Sequence, residues 1–139
     1  MLAYIKIAGK EYPMSFSLMA SKQIAKKYGS VDKGLEKMMQ MNLMDGGMDV
    51  CIDMLEILIC QGCAYKNYFE KDMPAKETDP VIDGKWVPLP REAIEIAMGI
   101  ADVSMICDKL LECIYGGQAQ EIVASESEES RKNAEAGQV

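Results

Sequence analysis

Between Val50 and Cys60 only Asp53 and Glu56 are polar. With Asp49 they fall at i, i+4 and i+7, so a helix over about Met48 to Lys71 carries one narrow acidic stripe and is apolar in every other direction. Such a helix has to be buried on several sides. In a chain of 139 residues it is either the central helix of the domain or it also meets another subunit. It cannot span a bilayer, because the longest uncharged hydrophobic stretch, Ile57 to Tyr65, is far below the roughly 20 residues required. The acidic stripe reads as a solvated face, since no cleft residue, phosphate loop or nucleophile motif accompanies the three carboxylates.

The elements before this helix follow from period and punctuation. Ala3, Ile5 and Ile7 alternate with Tyr4 and Lys6, Gly9-Lys10 supplies a turn, and Tyr12, Met14 and Phe16 then share one face, which together predict a β-hairpin. Pro13 removes a backbone donor and puts the second strand at an edge. A lone hairpin is marginal in water, so it packs on helices or pairs with another chain. Ser17 N-caps a helix that Gly29 stops after Tyr28, with Leu18, Ile24, Ala25 and Tyr28 on one face. Ser30 starts a second helix through about Leu43, striped by Leu35, Met38 and Met39, and Asp45-Gly46-Gly47 breaks it.

Beyond the hydrophobic helix, Pro74, Pro80, Pro88 and Pro90 punctuate a connector in which residues 81–87 form a small hairpin over Asp83-Gly84. Pro90 opens a last helix to about Tyr115, with Ile94, Ala97, Met98, Ala101, Met105 and Leu111 on its apolar side. After Gly117, five glutamates stand against Arg131 and Lys132, with Ile122 and Val123 the only large apolar residues before Val139. The sequence therefore predicts an α+β domain at 1–117, an N-terminal hairpin on about four helices, and a flexible acidic tail at 118–139.

Composition narrows the function. Lys and Arg number 15 against 22 Asp and Glu, a net charge of −7, which argues against a nucleic-acid groove or a basic membrane-surface helix. The chain has no histidine, which removes Ser-His-Asp and Cys-His dyads and His-ligated metals. It also lacks the GxGxxG, GxxxxGK[ST] and GxSxG patterns, so the expectation is a protein that is not an enzyme and needs no cofactor. Cys60-x-x-Cys63 has metal-like spacing, but a structural zinc needs a second ligand pair, and Cys51, Cys107 and Cys113 supply one only if the two long helices face each other. Small apolar side chains filling a helix core explain the five cysteines more simply. No basic stretch followed by an apolar one opens the chain, so the expected setting is a cytoplasm with reduced thiols.

Methionine is the remaining signal. Met38, Met39, Met41, Met44 and Met48 crowd the second helix and its exit, and Met14 and Met19 flank the hairpin. Flexible, polarizable methionine suits either core filling or a surface that re-packs against partners. Trp86 is either a loop anchor or an exposed aromatic contact. The candidate partner-binding residues are Met14, Phe16, Met38, Met39, Met41 and Trp86.

The stretch from Ile5-Lys6-Ile7-Ala8-Gly9-Lys10-Glu11-Tyr12 through Phe16, continuing into Ala20 to Gly29, resembles the tail assembly chaperones of siphophages and Gram-positive prophages. Members of that family open with a hairpin of this type, then a helix ending in an aromatic residue and glycine, then a hydrophobic helix. Here that last helix is Val50 to Ala64, leading into Gly62-Cys63-Ala64-Tyr65. The resemblance implies a non-catalytic protein that coats the apolar helices of the tape measure protein in the bacterial cytoplasm and helps recruit tail tube protein. It also implies self-association and absence from the finished particle. It further implies a longer form made by frameshifting, for which a slippery adenine run at Arg131-Lys132-Asn133 is a candidate. Two other readings stand beside it: a phage adaptor kept in the virion, such as a head–tail connector or tail completion protein, and a cysteine-based redox or metal protein.

Overall fold

The computed structural model describes residues 2–40 and 46–116. Met41, Met44 and the predicted tail at 118–139 lie outside the described residues. The fold is α+β, and its elements run β1 (Ala3–Ile7), β2 (Lys10–Met14), α1 (Leu18–Tyr28), α2 (Val31–Met39), α3 (Gly47–Phe69), β3 (Val81–Ile82), β4 (Lys85–Trp86) and α4 (Arg91–Ala97), then a short 3₁₀ turn (Ile100–Asp102) and α5 (103–116).

The N-terminal hairpin turns through Ala8 and Gly9, both at positive φ (51° and 82°), the hand that matches the strand twist of a two-residue loop. Alternation then sends Ile5, Ile7, Tyr12 and Met14 into the core. Pro13 faces outward from the ladder, so the missing donor costs no bond to β1. Its carbonyl instead lies over Gly62 of α3, where a Cβ would overlap it. Ser15 N–H donates to the Leu58 carbonyl (3.0 Å) and fixes the strand on the helix.

α1 has the predicted limits. The Ser17 hydroxyl accepts from Ala20 N–H, and Gly29, at φ 97°, returns its N–H to the Ala25 carbonyl. Leu18 projects into solvent rather than onto the buried face, which Ala20 and Ile24 form. Ser30 caps α2 in the same way through Lys33 N–H. Gly34 is a close-packing position in α2. A Cβ there would stand 2.7 Å from the Met54 methyl and 3.1 Å from the Tyr28 ring, so the glycine lets α2 approach α1 and α3 closely.

α3 is the central helix. Hairpin, α1, α2, α4 and β4 all pack on it, and Met54, Leu55, Leu58 and Ile59 are wholly buried. Burying each contributes about 1.5–3 kcal/mol. The connector is tied down by Asn67, whose side chain bonds Trp86 N–H (2.8 Å) and carbonyl (3.0 Å). Its small hairpin forms over Asp83-Gly84 as predicted.

The last helix departs from expectation. It is not continuous from Pro90 to Tyr115: α4 stops at Ala97, Met98 is extended (ψ 145°), and the helix restarts after Gly99. The Asp102 carboxylate accepts Gly99 N–H (2.8 Å), so the restart has its own cap. This break resets the phase. Val103, Ile106, Cys107, Leu110, Cys113 and Ile114 become the buried face, while Ala97, Ala101 and Met105 turn outward.

Candidate partner-binding surface

The acidic stripe of α3 is solvated only at Asp49, whose side chain is 72% exposed; Glu56 is half-buried and Asp53 buried. The Asp53 Oδ2 accepts from Tyr28 Oη (2.8 Å) and pairs with Lys27 (2.7 Å), and its Oδ1 meets the Arg91 guanidinium. Arg91 also reaches Asp49 (2.8 Å) and Glu95 (3.2 Å). Glu56 accepts Arg91 N–H (2.7 Å), and so caps the start of α4 from across the interface. The stripe thus joins α1, α3 and α4. Every carboxylate in it is engaged, so the stripe ties the three helices together.

The other flank of the α3 N-terminus is open. The break at Gly99 holds the chain away from α3 and leaves a groove of about 380 Å³, with Met48 and Ile52 on one wall and Met98, Ile100, Val103 and Ile106 on the other. Ile100 is 71% exposed at its mouth, and Asp49 and Glu95 stand at the rim. An apolar wall carrying two methionines beneath an acidic lip has the shape and chemistry to suit aliphatic or aromatic side chains.

Of the residues singled out from sequence, Met14 and Met38 are both 0% exposed and belong to the core, so neither is a surface contact. Leu35 and Met38 point inward on α2; Met39, one residue on, turns out of the stripe and is 61% exposed. Phe16 and Trp86 are half-buried against the core. Trp86 acts as an anchor of the connector, with Lys66 Nζ 5.2 Å from its ring centroid. Met41 lies outside the described residues. The sequence signals thus centred on α2, the hairpin and Trp86, and did not bring Met98 and Ile100 together. Gly99 followed at the third position by Asp102 was the available signal: a helix restart that frees apolar residues on both sides of it.

A second apolar region lies at the far end of α3, where Tyr65, Tyr68 and Phe69 are exposed, with the Tyr65 and Phe69 rings 5.1 Å apart and tilted by 47°. The hollow between Tyr4, Lys66, Glu70 and Trp86 mixes charged and apolar side chains, Met73 and Pro74 among them, and the Glu70 carboxylate holds Lys66 (2.9 Å).

The cysteines do not form a metal site: among the described residues no group of three His, Cys, Asp or Glu could hold an ion. Cys60 is exposed and Cys63 buried one turn along α3, close enough that Cys60 adds to the rise of the Cys63 pKa, but no third ligand joins them among the described residues. Cys51 and Cys107 do face each other across α3 and α5 at 3.3 Å. Burial pushes the Cys51 thiol well above its ordinary range and raises Cys107, Cys63 (to about 12) and Cys113 (to about 11). Thiols held neutral are poor nucleophiles and poor ligands, which fits packing rather than redox chemistry. No described helix is long and apolar enough to cross a membrane. Comparison with family models, curated proteins and solved structures returns no match.

Proposed function

We propose that this chain is a non-catalytic tail assembly chaperone that holds apolar helical segments of a phage tape measure protein in the host cytoplasm while tail tube protein is recruited. The groove between Met48, Ile52, Met98 and Ile100 carries the proposal. A holder of long hydrophobic helices needs an adaptable apolar channel, and methionine walls re-pack around different side chains at little cost. It also needs to stay soluble with cargo aboard, which a net charge of −7 favours. The resemblance of the first 29 residues supplies the family.

Co-expression with the tape measure protein tests this. The cargo should become soluble and co-purify with the chain, and Ile100→Asp should release it. Cargo that stays insoluble, or that co-purifies equally well with Ile100→Asp, overturns the reading. Finding the chain in purified virions would instead identify an adaptor retained in the particle.

A further inference from the structure

We propose that the acidic segment 118–130 of this chain docks on the outer face of its own α2. Ile122 and Val123 sit in the hollow between α2 and Tyr115, and the glutamates that follow reach the lysines of α1 and α2. Leu35, Met39 and Tyr115 line that hollow together with Asp32 and Glu36. Leu35 is buried, whereas Met39 is 61% and Tyr115 52% exposed. Apolar surface is thus left uncovered at the point where the chain runs on past Gly116.

Charge beside the hollow is opposite to that of the chain as a whole. Residues 17–40 carry Lys22, Lys26, Lys27, Lys33 and Lys37 against Asp32 and Glu36, in a protein of net charge −7. Lys27 is committed to Asp53. Lys22 and Lys26 lie one turn apart on the exposed side of α1, and Lys33 and Lys37 one turn apart on α2. Among the described residues none of these four lysines meets a carboxylate. Because α1 and α2 pack on each other, the four cations share the outer surface of two adjoining helices. The tail answers with five glutamates against Arg131 and Lys132.

Reach, register and charge select this occupant. Ile122 stands seven residues past Tyr115, a span of up to about 23 Å, against about 14 Å for the whole of α2. Ile122-Val123 is the one pair of large apolar residues in 118–139. Asp32 and Glu36 admit such a pair to the hollow and turn carboxylates away, toward Lys33 and Lys37 on the next ridge round the helix. Glu126, Glu128 and Glu129 follow Val123 closely enough to cross a helix about 10 Å wide and meet those lysines. Alone, the segment buries too little apolar surface to order itself; Leu35, Met39 and Tyr115 supply the missing contact. Tethering holds it at an effective concentration of about millimolar, which favours it over a second copy or a free acidic peptide. The groove at Met98 is the rival berth, but Asp49 and Glu95 on its rim repel the same glutamates.

Nuclear magnetic resonance relaxation of the full isotope-labelled chain at low salt tests the docking, with circular dichroism as the check on folding. Backbone order parameters over 121–129 should lie near the value of about 0.85 for rigid backbone, and the Ile122 and Val123 methyls should show Overhauser contacts to Met39 and Tyr115. Lys33→Glu with Lys37→Glu should lower the order parameters below about 0.6 and abolish those contacts. Adding Glu126→Lys, Glu128→Lys and Glu129→Lys should restore both. Ile122→Ser should loosen the segment with no change of charge, and salt at about 1 M, where the screening length is about 3 Å, should loosen the wild type in part. A wild-type segment below about 0.6 at low salt overturns the proposal. So does order that the lysine reversals leave unchanged or that the compensating reversals fail to restore. Contacts to Ile100, or contacts that a mixture of labelled and unlabelled protein assigns to a second copy, overturn it as well.

Discussion

Along one flank of the α3 N-terminus, Asp49, Asp53 and Glu56 are each met by a partner from α1 or α4; along the other, Met48 and Ile52 look into an open groove. Polar groups fill the closed flank and apolar groups line the open one, the reverse of what a simple inside–outside rule gives. The closed flank works because one arginine answers several carboxylates at once, so that ionic burial is compensated. The open flank exists because the chain breaks at Met98-Gly99 and cannot lay a continuous helix against α3. Stability and binding should therefore separate between the two flanks.

Asp53→Ala gives the largest expected loss of stability. It strips Tyr28, Lys27 and Arg91 of a shared acceptor and leaves the guanidinium against buried surface, at a cost of about 3 kcal/mol. Chemical denaturation should show a lower midpoint at unchanged slope. Asp53→Asn keeps the volume and should recover only part of the loss; full recovery would mean that packing rather than charge closes this flank.

Gly34→Ala follows, with an expected loss of about 1–2 kcal/mol by overpacking. The Met54 methyl can swing aside, but the Tyr28 ring is held by its hydrogen bond to Asp53. The two substitutions should therefore be non-additive in a double-mutant cycle, because Tyr28 belongs to both environments.

The buried thiols add an alkaline limit. Folding raises the Cys63 and Cys113 pKa values from 9.0 to about 12 and about 11, chiefly by desolvation. Below pH 9 both states hold the proton and the contribution to stability is complete. As pH rises from there toward the folded values, only the unfolded chain ionises, and stability is lost. Thermal unfolding between pH 9 and 12 should show a falling midpoint, and Cys63→Ala should flatten the fall. Tyr12 and Tyr28, raised by burial, act in the same direction.

Local signals in the sequence were sufficient for the hairpin, for the limits of α1 at Ser17 and Gly29, for the Asp83-Gly84 turn and for a central α3, because each depends on residues a few positions apart. The ionic cluster was not legible: Arg91 is 38 positions from Asp53, and nothing in the stripe announces a distant cation. Methionine misled for a related reason. Its side chain suits core and surface equally, so composition pointed to α2 as a contact face, whereas helical phase puts Met38 inside and Met39 outside. The groove was obscured by reading residues 90 to 115 as one helix, which hid the change of phase at Gly99.

Ile100→Asp should change stability least, within about 0.5 kcal/mol, since the side chain is largely exposed and touches no ion pair. Its effect on cargo should be the opposite in rank. A carboxylate at the mouth joins Asp49 and Glu95 on an acidic rim and must be desolvated when an apolar helix enters, so affinity for a hydrophobic helical peptide should fall by roughly tenfold or more. Calorimetric titration measures the binding and denaturant unfolding measures the fold. The contrast with Asp53→Ala is then a crossed pair: Asp53→Ala should lose stability while its surviving folded fraction still binds, and Ile100→Asp should stay folded and fail to bind. If Ile100→Asp binds as the wild type does, the open flank is not the contact, and the exposed aromatics at Tyr65, Tyr68 and Phe69 become the surface to vary next.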